Sequence, residues 1–429
     1  MSKVKGFSKL NKEQKIQWLK ENYFNGDSSI ERVLRQYWNS DEKLQELHDG
    51  FIENPVSNFY LPYAISPNFL INGKIYAIPM VIEESSIVAA SSKAAKFWLE
   101  KGGFTAKVVQ TVKPGHVHLI YEGKKEELIT FFEENKGKII HRINPLQENM
   151  KSRGGGLLSL NLIDKTSLLP GYYQIEAKFD TVDSMGANFI NTILEEIAMV
   201  FVELMPDRMK AQTQIIMSIL SNFTPECIVR SEVSCPVNEL ATQNISGEEY
   251  ARKFITAINI AEKEPYRAVT HNKGIMNGVD AVILATGNDF RAVEADAHAY
   301  ASKDGRYTSL SHAEVKDGMF HYHIEMPLAI GTVGGLTGIH PLVKFSLQLL
   351  GNPSAKELMG IIASAGLAQN FAAVNALITE GIQQGHMKMH LNNLLQLLGA
   401  SEQKSVEARK YFAQKKVSVK ALKEFLQKT

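Results

Sequence analysis

The stretch THNKGIMNGVDAVILATGND, Thr270 to Asp289, sets an apolar run, Ala281 to Ala285, between a lysine (Lys273) and an aspartate (Asp289). Each charge sits inside a Gly/Asn cluster. A core segment with a cation at one end and a carboxylate at the other can be read two ways. Both charges are solvated ends of one buried element, or they are brought into a site. Spacing alone leaves both readings open.

The surrounding chain has 429 residues, 44% of them hydrophobic, ample for a large core and for two or three domains. Lys and Arg number 47 against 46 Asp and Glu. That balance argues against a nucleic-acid partner, whose phosphates demand a basic surplus. Cys227 and Cys235 are the only cysteines and form no CxxC pair, which fits a reducing compartment without a disulfide framework. The N-terminal segment mixes lysines with apolar residues at helical spacing and lacks a signal peptide's apolar core. The most membrane-like segment, Gly360 to Ile378, is interrupted by Gln369, Asn370 and Asn375, so it reads as a buried helix rather than a span. The expectation is a cytoplasmic protein with no membrane contact.

Organisation follows from periodicity. Residues from about Lys12 to His48 repeat their apolar positions at three- and four-residue intervals and predict helix. FLINGKIYAIPMVI predicts a hairpin, with Asn72-Gly73 as its two-residue turn. A small, apolar helix follows and ends at Gly102-Gly103. From about Ala106, segments that alternate like strands trade places with amphipathic helices as far as AQTQIIMSILSNF, predicting a compact α+β unit inserted into a more helical body. Gly247 to Ala400 reads as mostly helix with Gly-rich breaks. The tail from Ser401 suits a short amphipathic helix presenting Leu422, Phe425 and Leu426.

The candidate chemistry is spread along the chain. GTVGGLTG (Gly331 to Gly338) lacks GxGxxG spacing, and SRGGGLL follows no clear strand, so both read as turns rather than phosphate cradles. His386 and His390 lie four apart on one predicted helix face, but HExxH is absent and no companion ligand stands at a standard spacing; no metal is expected. In VIEESS the adjacent Glu83 and Glu84 follow an apolar strand. Successive strand residues point to opposite faces, so one carboxylate can be turned into a cleft, where burial would suit it to general acid work.

Taken together, IENPVSNFYLPYA, VIEESSIVAA, DSMGAN, PYRAVTHNKGIMNGVDAVILATGNDFRAVEADAHAYAS, IGTVGGLTGIHPL and GLAQNFAAVNALITEGIQQGHMKMH resemble, in family order, the soluble bacterial (class II) 3-hydroxy-3-methylglutaryl-coenzyme A reductases. The resemblance implies a four-electron reduction of HMG-CoA to mevalonate and CoA, or the reverse, through mevaldyl-CoA and mevaldehyde. It implies a homodimer with interfacial active sites, and possible higher assembly. The implied fold is α+β: a large, mostly helical CoA/substrate domain (1–108 and 220–379), an inserted small ferredoxin-like NAD(P)-binding domain (109–219) and a C-terminal helical flap (380–429).

The resemblance also assigns roles. Lys273 matches the lysine that hydrogen-bonds the substrate carbonyl, and Asp289 the aspartate that contacts it. The two are sixteen residues apart, roughly 24 Å along one straight helix, so the expectation is a chain that folds back between them at the Gly/Asn clusters. Glu84 matches the proton donor in aldehyde reduction, with Ser85 in place of a proline common in the class. His386 matches the histidine that protonates the departing thiolate; its ordinary pKa, near 6.5, suits the task. Ser86, Arg267 and Asn277 match substrate-binding positions. Asp183, Met185, Gly186 and Asn188, in DSMGAN, match the loop that meets the nicotinamide. Gln147 aligns, without gaps back from Gly154, with the aspartate that NADH-preferring members carry near the adenosine ribose. A neutral amide there, with Arg142, Lys151 and Arg153 nearby, predicts NADPH with NADH as the alternative; Glu148, one residue on, is the acid that a small shift would bring in.

Overall fold

The computed structural model describes residues 4–379, 391, 394–412 and 418–428. The chain forms two compact units, residues 1–62 and 63–429. The first holds helices α1 (Lys12–Tyr23), α2 (Ser29–Gln36) and α3 (Glu42–Asp49). Asn11 and Gln14 close a capping box at the start of α1, and the Asp41 carboxylate accepts from Leu44 N at α3. Asn25 and Gly26, both at positive φ, break the periodic stretch after α1. Lys12 joins first and third helices through Asp49, 2.8 Å away, while lying 4.0 Å over the Trp38 ring.

The second unit opens on the hairpin the sequence predicts: β1 (Tyr63–Ile71) and β2 (Lys74–Val81), with Asn72 and Gly73 both at positive φ. After α4 (Ile87–Leu99) and the short β3 (Thr105–Val108) come β4 (Val112–Tyr121), α5 (Lys125–Ile143), α6 (Glu148–Lys151), β5 (Gly156–Asp164), β6 (Tyr172–Asp180), α7 (Ala187–Glu203), α8 (Asp207–Ala211) and β7 (Thr213–Leu220). Strands β4 to β7 form one sheet in the order β5-β6-β4-β7, antiparallel throughout. Val117, Leu119, Ile175 and Phe179 from one face of that sheet share a core with Phe132, Ile193 and Phe201 from α5 and α7.

The chain continues through β8 (Ile228–Pro236), α9 (Gly247–Lys263), α10 (Pro265–Ala285), α11 (Phe290–Ala301), β9 (Ser311–Lys316), β10 (Met319–Pro327), α12 (Pro341–Leu349) and α13 (Ala355–Ile378). A second sheet, β3-β8-β10-β9, packs with α4, α9, α10 and α13 around the main core. The region read as mostly helix therefore contains a hairpin, β9–β10. Helices α14 (Glu402–Tyr411) and α15 (Val419–Lys428) bury Phe412 and Leu422 in a small core of their own with Leu394 and Leu395. By length and composition α13 is apolar enough to cross a membrane, but two thirds of its most apolar window, 67%, is buried within the protein.

One expectation is overturned here. The chain does not fold back between Lys273 and Ala285: both lie on the single helix α10. Gly274 and Gly278 are interior helix positions rather than bends. A Cβ on Gly278 would stand 2.5 Å from the Ala365 carbonyl oxygen, so glycine is what lets α10 and α13 approach. The turn comes later, at Gly287, φ 67°. We expect Gly278→Ala to destabilise the protein by about 1–3 kcal/mol through overpacking, despite alanine's better helix propensity. Gly274→Ala, whose Cβ would meet its nearest neighbour at an ordinary 3.6 Å, should be neutral or stabilising. Urea midpoints of the two variants check this; equal midpoints would refute it.

Candidate active site

Helix α10 sets Lys273, Asn277 and Asp280 along one face, at steps of four and three residues. Glu84 reaches that face from the turn between β2 and α4. Its Oε2 accepts from Lys273 Nζ at 3.0 Å, a contact between residues 189 apart in sequence. Glu83 is exposed and Glu84 half-buried, though both lie in the bend after β2 rather than in the strand whose alternation suggested a difference. The pair is open in the single chain, with side-chain exposures of 61% for Lys273 and 39% for Glu84. Ser86 caps α4 at φ 88°, a left-handed conformation that costs a non-glycine residue about 1–3 kcal/mol and marks this turn as held under strain.

Arg267 stands in the first turn of α10, its guanidinium 3.4 Å from His271 Nδ1. A guanidinium only donates, so Nδ1 accepts and His271 Nε2 donates to Ser311 Oγ at 2.7 Å. Burial and the nearby Arg267 charge push the imidazole pKa down to about 3, which keeps the ring neutral and able to accept. Asp280 is partly buried beside Glu294; burial first, then that second carboxylate, raise its pKa. Glu294 in turn takes His298 Nε2 at 2.5 Å.

Asp289 is placed otherwise than the sequence predicts. It caps α11, its Oδ1 accepting from Arg291 N and Ala292 N, with Oδ2 2.9 Å from Arg291 Nη2. Within this chain it makes no ion pair with Lys273. The physical reason is the uninterrupted α10: Lys273 lies twelve residues, about 18 Å, ahead of the helix's last residue. His386 lies outside the described residues.

The DSMGAN loop joins β6 to α7. Gly186, at φ 94°, caps α7, and a Cβ there would meet Thr181 Cγ2 at 2.4 Å. Asn188 is exposed in the helix's first turn, where unpaired backbone N–H groups and the positive end of the dipole suit an anionic or carbonyl-bearing cofactor group. The loop is stitched to the body of the protein. Asp183 O accepts from Thr332 N at 2.8 Å, and its Oδ1 from Ala355 N at 2.7 Å. Gly331 lies so close that a Cβ would stand 2.4 Å from Met185 N. The GTVGGLTG segment thus backs the loop, which explains its first glycine.

Gln147 is a second correction. It is 1% exposed, its Oε1 accepting from Leu157 N at 2.7 Å and its Nε2 facing Ile143 O at 3.5 Å. The amide is spent tying the end of α5 to β5 and does not face solvent as a ribose contact must. The surface beside it is formed by Glu148, Asn149, Lys151 and Arg153. The GGG segment turns there, Gly154 and Gly156 at positive φ, and Gly155 lies against Asp180 O, 2.5 Å from where a Cβ would be.

The chain as a whole is matched in known proteins. A model of the hydroxymethylglutaryl-coenzyme A reductase family covers residues 11–391. The chain belongs to this family. A 3-hydroxy-3-methylglutaryl-coenzyme A reductase of Archaeoglobus fulgidus is 38% identical over 93% of this chain and 88% of its own length. A probable reductase of Borreliella burgdorferi is 36% identical over 81% and 78%. Among solved structures, the class II reductase of Streptococcus pneumoniae bound to NADPH, in open conformations, superposes with a TM-score of 0.73 at 37% identity, covering 95% of this chain and 99% of that one. The mixed helix-and-sheet fold is therefore that of the reductase family.

Sequence reading missed three charged or titratable residues packed on helix α10 or against the DSMGAN loop. His271 and Asp280 sit inside the stretch THNKGIMNGVDAVILATGND, where helical phase from Lys273 marks Asp280 as a neighbour. Lys113 falls on the same parity as Val117, Leu119 and Tyr121 in β4, and a lysine on a buried strand face is a signal in itself.

Proposed function

We propose that this chain is a class II hydroxymethylglutaryl-coenzyme A reductase, cytoplasmic and dimeric, which reduces HMG-CoA to mevalonate and CoA or runs the reverse oxidation. The observation that carries the reading is the 3.0 Å Glu84–Lys273 pair in a member of the family. NADPH, when bound, supplies one hydride in each of two steps. As the first reaches the thioester, negative charge grows on the carbonyl oxygen, and the Lys273 ammonium stabilises it. Collapse of the mevaldyl-CoA so formed expels the CoA thiolate, which His386 protonates. Lys273 polarises the mevaldehyde carbonyl in the second step, and Glu84 gives its proton to the new alkoxide. Two protons and two hydrides then balance mevalonate plus free thiol.

Arg267, oriented by the neutral His271, pairs with the substrate carboxylate, and Ser86 and Asn277 flank it. Asp289 acts on Lys273 across the dimer: the partner subunit's Asp289 supplies the carboxylate that α10 keeps away within one chain. The domains we assign are 1–108 with 220–379, 109–219 and 380–429. The strand order β5-β6-β4-β7 in a β-α-β-β-α-β succession supports a ferredoxin-like cofactor domain. Asp183, Met185, Gly186 and Asn188 form its nicotinamide side.

For the adenosine side we assign Arg153. Lys151 already donates to Asn144 Oδ1 at 2.7 Å, and Arg142 lies 3.8 and 3.6 Å from Glu196 and Glu203. The Arg153 guanidinium has no acidic partner among the described residues. With HMG-CoA, the protein should oxidise two NADPH per free thiol released; no thioester-dependent oxidation would overturn the reading. NADPH should exceed NADH in kcat/KM. Arg153→Ala should raise the KM for NADPH about tenfold and leave that for NADH unchanged, since one charge-assisted contact to the 2′-phosphate is lost. A preference for NADH in the wild type would place Glu148 at the ribose instead.

A further inference from the structure

Lys113 is the second residue of β4, its side chain turned inward, and it is 5% exposed. Its Nζ donates to Thr181 Oγ1 at 2.7 Å, Ser184 O at 2.9 Å and Met185 O at 3.1 Å. An ammonium has three N–H groups, and each has an acceptor here. Thr181 Oγ1 gives its own proton to Ser184 O at 2.6 Å, so toward Lys113 it can only accept. The set of partners is therefore one that an ammonium satisfies in full.

All three acceptors belong to the turn between β6 and α7, and that turn is unfavourable by itself. Val182 sits at φ 50°, where a β-branched residue is an outlier, and Gly186 at φ 94° follows four residues later. At a non-glycine residue such as Val182, this conformation persists only where the surroundings over-determine it. Burying an ammonium is costly as well, and burial lowers the Lys113 pKa against the pull of Cys227 and Asp180. A cation placed inside a domain core at that cost, with every donor spent on one strained turn, is doing something that packing alone would not require.

We propose that Lys113 is a positioning residue for the cofactor: its buried ammonium holds the Thr181–Gly186 turn in the strained form that presents Asp183 to Asn188. This rests on the functional reading of that loop as the nicotinamide side of the site. Lys113 does not touch the reacting atoms. It acts through the Ser184 and Met185 carbonyls, and so on cofactor binding rather than on the thioester.

Lys113→Met keeps the length of the side chain and removes the donors. We expect its KM for NADPH to rise about tenfold, as for the loss of charge-assisted hydrogen bonds, with the KM for HMG-CoA within about twofold of wild type. Hydrogen–deuterium exchange, measured on the full-length protein without cofactor, should show faster exchange at the amides of 182–186 and no change in β4 to β6. Lys113→Arg should recover most of both. Thr181→Val, which removes one acceptor, should shift both in the same direction by less, and it carries the test if Lys113→Met does not fold. Unchanged NADPH KM and unchanged exchange in a folded variant would overturn the proposal, as would equal losses for both substrates. A wild type that does not oxidise NADPH refutes the functional reading instead, and the exchange comparison still decides whether Lys113 holds the turn.

Discussion

Replacing Lys273 by alanine should cut turnover with HMG-CoA by about a hundredfold or more, the usual consequence of removing one preorganised partner of a developing oxyanion. Both reduction steps pass through a carbonyl whose oxygen gains charge, so turnover of free mevaldehyde should fall too. The fold should survive. Lys273 is a largely exposed helix residue, its side chain 61% accessible, and alanine is the better helix former. Among the described residues its ion pair is with Glu84, which becomes solvated when the lysine is removed. The measurements are steady-state rates on both substrates beside a circular-dichroism melt. Near-normal turnover of the thioester by a folded variant would remove Lys273 from the mechanism.

Two inactive chains should make an active mixture. Co-expressed Lys273→Ala and Asp289→Ala chains, if they pair at random, form hybrids in half of their dimers. In each hybrid one site carries both lesions and the other carries neither, so the mixture should recover about a quarter of wild-type turnover. The motive is geometric: α10 runs unbroken from Lys273 to Ala285, and Asp289 spends its carboxylate on capping α11 and on Arg291. If the aspartate instead served its own chain's lysine, every site in the mixture would be defective. Recovered activity in tagged, purified hybrids confirms the exchange across the interface; hybrids as dead as their parents would overturn it.

The contrast between what was legible in the chain and what was not has physical causes. The Asn72-Gly73 hairpin depends on turn chemistry, which neighbouring residues determine. Gly274 and Gly278 misled because glycine has two uses, bending the chain and admitting a neighbour. Only the position of Ala365, eighty-seven residues after Gly278, says which applies. Gln147 misled differently: a gapless alignment carries a position but not a direction, and this side chain points inward to Leu157 N. Lys113 was readable from parity alone, yet its meaning needed the turn it meets. The pairing of Glu84 with Lys273 came from motif resemblance, and the single chain joins them while leaving Asp289 apart.

The sheet order leaves β4 and β7, the first and last strands of the inserted α+β unit, as neighbours, with Gly115 opposite Leu220. The unit therefore enters and leaves the main body through one doorway. Topologically it is an enlarged loop, and the chain on either side would need only a short connection to close without it. An ancestor could have acquired it in a single insertion event without redrawing the core it entered.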